Sequence, residues 1–257
     1  MPIREYQRPK DLPAAQAALR QPGATPLMFG PRLPDDPFAG LDTVVDVSRL
    51  ELNYIRASDA AIRIGAATPL QAIVESPEVQ GEAHGLLAEA ARLVAPLTLR
   101  NLATIGGASQ AKDGPPEVKL ALLVLDATRA PGDPLAEIVL PRSPQPSPGA
   151  ALARVARSPR DEAIVAAAAK LSVESGLCRN VRLAVAGDSA QPLRVTSAEI
   201  LLEGQPWSED KLRAVVERVL AEAQPVGDYR GSAEYRKEMA GVLARRVLAE
   251  ARERANN

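Results

Sequence analysis

Apolar positions in the first half of this chain come in short runs, alternating between strand-like and helix-like spacing. Asp11 followed by Leu-Pro-Ala-Ala-Gln-Ala-Ala-Leu-Arg predicts a short helix over 11–20. Asp11 is its N-cap and Pro13 lies in the first turn, where a missing N–H leaves no bond unmade. Pro26-Leu-Met-Phe-Gly30 is a brief apolar run closed by glycine and proline, hence a strand feeding a loop, and Val44–Val47 is a second strand. Leu52–Arg56 and Ala61–Gly65 flank Ala-Ser-Asp-Ala, a hairpin signature. Thr68 is placed to cap a short helix with Pro69 in its first turn. Leu86, Leu87, Ala90 and Val94 stripe one face of a helix over 82–95, and 117–127 is apolar enough for a buried helix. Such alternation predicts small α/β layers.

The pattern changes across residues 129–149, which hold Pro131, Pro134, Pro141, Pro144, Pro146 and Pro148. Proline fixes φ and lacks an N–H, so this stretch is excluded from helix interiors and central strands and reads as an extended connection. Beyond it, 160–173 reads as a strand or short helix (Ile164, Val165, then four alanines), and Val181, Leu183 and Val185 alternate as a half-buried strand. Two helices close the chain. One follows Ser208 and stripes Leu212, Val215, Val219 and Leu220; the other starts at Ser232 and stripes Tyr235, Met239, Val242, Leu243 and Val247. The expected class is α+β: an N-terminal α/β subdomain (1–57), a second, shortened one (58–150), and a C-terminal sheet-plus-helices domain (151–257).

Composition narrows the chemistry. A net charge of −1 over 257 residues leaves no electrostatic footprint for nucleic acid, and no apolar run approaches the roughly 20 residues of a bilayer span. No signal-peptide pattern opens the sequence, so a cytoplasmic location is expected. A single cysteine, Cys178, excludes an internal disulfide and an iron–sulfur cluster ligated by this chain alone. It reads as a small packed side chain at a strand head. A single histidine, His84, excludes a multi-histidine metal site and reads as a surface or capping residue. No residue stands out as a general acid, base or nucleophile, so chemistry, if present, belongs to a cofactor.

The most informative stretch is Thr98-Leu-Arg-Asn-Leu-Ala-Thr-Ile-Gly-Gly107. Paired glycines after Arg100-Asn101 strip bulk from a turn, which either lets a ligand approach the main chain or is simply a turn. With Tyr6-Gln-Arg-Pro9, Leu125-Asp126-Ala127, Leu-Ala-Glu-Ile-Val-Leu-Pro (135–141) and Asp228-Tyr-Arg-Gly-Ser-Ala-Glu-Tyr-Arg236 running on to Arg245-Arg246, it gives a family resemblance over nearly the whole length. The chain resembles the FAD-binding (medium) subunit of the molybdenum hydroxylases, of the carbon monoxide dehydrogenase and xanthine dehydrogenase type.

The resemblance implies two α/β subdomains clasping FAD, then a three-stranded antiparallel sheet with helices. It implies electrons arriving from [2Fe–2S] clusters of a small subunit, fed by a molybdopterin large subunit, and leaving to an external acceptor. It assigns Gly30, Arg32, Thr104, Gly106, Gly107 and Glu117 to the ligand side. It leaves Arg230, Arg236, Arg245 and Arg246 as either a solvated helix face or a partner-docking surface. The sequence departs from the family pattern at that same site. Phe29 and Pro31 stand in the first glycine motif, where Pro31 removes a donor and Arg32 can offset it through its side chain. Ala108 and Ala111 replace two asparagines, Asp113 a serine and Glu117 an aspartate, and a strand–loop–strand is missing between Ala127 and Leu135. Two roles follow: an electron-transferring flavin subunit, or a flavin-free paralogue whose fold is kept to dock partners.

Overall fold

The computed structural model describes residues 3–28, 30, 42–111, 114–143, 147–158, 161–187 and 191–256. Near the N-terminus, β1 (Glu5–Gln7), α1 (Leu12–Leu19), β2 (Ala24–Pro26) and β3 (Thr43–Val45) build a parallel sheet of order β1-β3-β2 with α1 packed on it. Asp11 caps α1 as expected, its carboxylate accepting from the Ala14 amide at 2.9 Å. β2 ends at Pro26, where the run 26–30 was expected to begin a strand. Leu27 makes one more bond, to the Val45 carbonyl at 2.8 Å, and the chain then leaves the sheet. Ala15, Ala18, Val45, Val47 and Leu52 form a small core here.

Residues 55–57, which precede the expected boundary at 58, join the next sheet. β4 (Ile55–Ala57) pairs antiparallel with β5 (Ala61–Ile64), giving the expected hairpin. There follow α2 (Leu70–Glu75), α3 (Pro77–Gln80), α4 (Leu86–Val94), α5 (Leu97–Leu102), α6 (Ile105–Gln110) and α7 (Pro116–Val124). β6 (Ile138–Pro141) then returns to the far side of β5, so the sheet order is β4-β5-β6. The proline-rich connection thus contributes an edge strand, with Pro141 at its last position. Two expectations change. Thr68 does not cap α2: its hydroxyl donates to the Tyr54 carbonyl (3.0 Å) and accepts from the Tyr54 amide (3.1 Å), tying the hairpin to the helix entry. The helix expected over 82–95 begins only at Leu86, because Ala83, His84 and Gly85 all have positive φ. His84 is exposed on that left-handed turn, a surface position as its sequence context implied.

In the C-terminal unit β7 (Gly149–Val155), β8 (Val165–Glu174), β9 (Leu177–Ala186) and the two-residue β10 (Leu193–Arg194) form an antiparallel sheet of order β10-β9-β8-β7. It is the three-stranded sheet implied by the resemblance plus a short edge. α8 (Thr196–Leu202), which no sequence signal announced, is followed by α9 (Glu209–Glu222) and α10 (Ala233–Ala255), capped by Ser208 and Ser232 as expected. β8 explains the ambiguous alanine run: both faces of the sheet are covered, so period-two alternation disappears. Ala166 and Ala168 enter one core with Leu120, Val124, Leu87 and Ile62, while Ala167, Ala169 and Leu171 enter the other with Val215, Leu243 and Val247. Small side chains let α7 and α10 lie close on opposite faces. At Gly149 the approach is closest, since a Cβ would stand 1.8 Å from the Ala251 carbonyl of α10. Cys178 is buried in this second core, and burial pushes its thiol pKa up.

Charged contacts join the second unit to the C-terminal sheet. The Glu117 carboxylate meets Arg154 at 2.8 Å. Asp126, just past α7 with φ of 54°, accepts from Arg182 and Arg194 at 2.9 Å and from Lys170 at 3.3 Å. These two units therefore share a core and its polar clamps, while the parallel sheet packs in a separate core that Ala67 and Leu135 of the second unit also join.

Candidate cofactor cleft

Ligands of parallel α/β sheets sit beyond the carboxyl ends of the strands. Here that edge comprises Arg8 after β1, Met28 and Gly30 after β2, and Asp46 and Val47 after β3. Asp46 is nearly buried and organises the edge. Its carboxylate accepts from the Tyr6 hydroxyl and from the Ser48 amide (2.8 Å), and pairs with Arg8 at 3.0 Å. Burial acts to raise its pKa, but the bonds from Tyr6 and Ser48 and the charge of Arg8 prevail and hold it at about 2. Sequence reasoning missed this cluster; an aspartate flanked by valines at a strand end was its only signal.

The opposing wall is the N-terminus of α6. Ala67 joins the N-terminal core beside Met28 and Val47, and its two neighbours receive the Thr-x-Gly-Gly turn. The Ile105 amide donates to the Thr68 carbonyl and the Gly106 amide to the Ala66 carbonyl, both at 2.9 Å. Thr104 is the N-cap of α6, its hydroxyl accepting from the Gly107 amide at 3.0 Å, and the Ala108 amide reaches the Thr104 carbonyl at 2.8 Å. Gly106 is required by close approach, because a Cβ there would stand 2.6 Å from the Ala66 carbonyl oxygen.

This accounting bears directly on FAD. The four amides from Ile105 to Ala108 are all committed inside the protein, so the turn offers a pyrophosphate no free main-chain donor. Ala108 is fully buried and Ala111 has only a methyl group, so neither supplies the donor an asparagine would. The main-chain amides of the α6 turn are therefore not available to a pyrophosphate.

The other sequence-assigned positions divide three ways. Gly30 is half-buried just past β2. Arg32 lies outside the described residues, as do Phe29, Pro31 and Asp113. Glu117 is 2% exposed and its carboxylate is engaged by Arg154, so it clamps α7 to β7. Arg100 serves structure: its guanidinium donates to the Arg92 and Ala95 carbonyls at the end of α4 and to Gln71 of α2 at 2.8 Å. Among the described residues there is no cluster of three or more metal-ligating side chains, and no helix is long and apolar enough to cross a membrane.

The C-terminal motif is likewise explained by packing. Arg236 is fully buried, donating to the carbonyls of Gly231 and Ile164 (3.1 Å each) and to the Asp228 carboxylate. Asp228 also accepts from the Arg230 amide at 2.7 Å and pairs with the Arg230 side chain, which reaches on to Glu162 at 3.0 Å. Burial opposes ionisation of Asp228, yet these bonds and the adjacent charge hold its carboxyl well below the usual range. Arg236 and Arg230 thus pin a turn and do not belong to a solvated face. Arg245 is exposed and pairs with Glu209 at 2.7 Å.

Comparison with known proteins agrees with this architecture. Residues 2–130 match the family described as the FAD binding domain in molybdopterin dehydrogenase. Residues 150–251 match the CO dehydrogenase flavoprotein C-terminal domain. The chain is 30% identical over 239 residues to the 6-hydroxypseudooxynicotine dehydrogenase complex subunit alpha of Paenarthrobacter nicotinovorans, covering 82% of this chain and 80% of that one. It is 28% identical to the carbon monoxide dehydrogenase medium chain of Hydrogenophaga pseudoflava, covering 95% of each. A solved carbon monoxide dehydrogenase from the same organism superposes with a TM-score of 0.86 at 27% identity, covering 97% of both chains. The chain belongs to the FAD-binding medium-subunit family of the molybdenum hydroxylases.

Proposed function

We propose that this chain is the medium subunit of a molybdenum-hydroxylase assembly, standing between an iron–sulfur small subunit and an external electron acceptor. The observation that supports this reading is the family fold kept end to end, with the cleft scaffold of Thr104, Gly106 and Gly107 intact opposite the carboxyl edge of the parallel sheet. What FAD supplies in such a subunit is electron transfer from iron–sulfur clusters to the acceptor. In this chain Gly30, Thr104, Gly106 and Gly107 shape the seat, Arg32 is the basic residue that the sequence places in the altered first motif, and Glu117 serves packing through Arg154. The grip is weak: each missing donor to a charged oxygen costs on the order of 1.5–3 kcal/mol, roughly ten- to a hundredfold in affinity. Titration of the purified chain with FAD, followed by flavin fluorescence and absorbance, is expected to show saturable one-to-one binding.

A second reading is a flavin-free paralogue retained for docking partner subunits. It is favoured by the committed amides of Ile105–Ala108, which leave the α6 turn without a free main-chain donor, and by the Glu117–Arg154 pair, which keeps that carboxylate in a packing role. Absence of binding at high FAD concentration by a folded chain selects this reading and rejects the first.

A further inference from the structure

The apolar stripe on α10 is wider than the core it serves. Leu243, Val247 and Ala251 pack beneath the helix with Val215 and Val219 of α9. Tyr235 and Val242 stay 40% and 44% exposed, and Ala249 is half-buried. Single exposed apolar side chains are ordinary. These three recur every seven residues, so they form one line along the outward face of α10. Beside that line an open groove of about 310 Å³ runs between α9 and α10, floored by Val216, Leu220 and Val242. Gly241 lets the two helices meet closely there, since a Cβ would stand 3.1 Å from Val216 and 3.2 Å from Leu220.

Charge is arranged about the middle of the same line. Glu238 lies four residues before Val242 and Arg246 four residues after it, each about 6 Å along the axis and on the same side of the helix. Both are exposed, and among the described residues neither has a hydrogen-bond or ion-pair partner. Arg245, the neighbour of Arg246, already holds Glu209 at 2.7 Å. A two-fold axis through Val242 sets a second α10 antiparallel to the first and exchanges its two ends. Glu238 of each copy then stands level with Arg246 of the other. Tyr235 stands level with Ala249, a large side chain against a small one.

We propose that the α10 face centred on Val242 is a symmetric interface with a second copy of this chain. The face is complementary to itself in charge and in size, which a surface shaped for an unlike partner has no need to be. One helix face with a flanking groove is small for a specific interface, so the dimer dissociates reversibly on dilution. The pairing needs no cofactor and stands apart from the cleft.

The test is sedimentation velocity of the purified full chain over a range of concentrations, with circular dichroism confirming that each variant is folded. The wild type is expected to pass from monomer to dimer as concentration rises. Val242→Glu sets two carboxylates against each other at the axis and abolishes the dimer. Glu238→Arg or Arg246→Glu alone turns both opposite-charge pairs into like-charge pairs and raises the dissociation constant about tenfold. The double exchange, Glu238→Arg with Arg246→Glu, restores it. A wild-type chain that stays monomeric throughout would overturn the proposal. So would a dimer indifferent to Val242→Glu, or single exchanges that the double does not rescue. Loss of other subunits from the complex isolated from its own cells when Val242→Glu is introduced, with the lone wild-type chain monomeric, would assign the face to an unlike partner and overturn the second copy.

Discussion

Single residues in this chain mostly settle questions of pairing. Glu117 shows this best, because a carboxylate assigned to the ligand side is instead buried against Arg154. Arg154→Ala is expected to cost about 3 kcal/mol or more in chemical denaturation, since it leaves a buried charge uncompensated. Replacing both partners with apolar residues of similar volume should recover most of that loss. A drop under ~1 kcal/mol for Arg154→Ala, the size of an exposed pair, would contradict the clamp. The depressed carboxyls set a pH dependence in the same way. Asp46, Asp126 and Asp228 all have folded pKa values below the ordinary carboxylate value near 4. The stability they contribute is complete above that value and is lost as pH falls through the folded pKa, about 2 for Asp46. Unfolding midpoints measured from pH 6 to 2 should therefore be level at first and decline below about pH 4. Residue types alone hinted at little of this. Asp11 and Ser232 cap helices through neighbours three residues away and were legible; Asp46, Asp126 and Glu117 find side-chain partners 37 to 68 residues distant along the chain and were not.

Elements were legible where one face met the core and the other met water. α9 and α10 follow their stripes and caps, and the hairpin β4–β5 follows its turn residues. Legibility failed where both faces are covered, as in β8, or where a left-handed turn interrupts a continuous stripe, as at Ala83–Gly85. α8 went unseen because its seven residues, between a two-residue strand and a turn, are too few for a periodic signal. The two-sided burial of β8 makes its alanines a sensitive probe. Ala168→Leu adds bulk between α7 and the sheet and is expected to destabilise by roughly 1–3 kcal/mol through overpacking. A stabilised or unchanged variant in thermal melting would mean that the helices do not sit as close as the alanines allow.

At the scale of the whole molecule, the second and C-terminal units are built on a common core, and the parallel sheet packs in a second, smaller one. The family resemblance was carried by motifs whose roles are now separable. Asp228–Arg236 and Leu125–Ala127 hold turns and clamp units together, while Thr104–Gly107 holds the cleft wall. That division accounts for a fold kept over nearly its full length beside departures from the family's glycine motifs. The scaffold motifs are fixed by packing, and packing does not require a ligand. The same division defines the central claim, that the chain works within a molybdenum-hydroxylase assembly. The most direct test is to isolate the tagged chain at native abundance from its own cells and measure mass and iron, molybdenum and flavin content of what co-purifies. The account predicts a stable complex containing this chain with molybdenum and four irons (two [2Fe–2S] clusters, as the family resemblance implies) per copy. A chain recovered alone, or in a complex without iron and molybdenum, would contradict it.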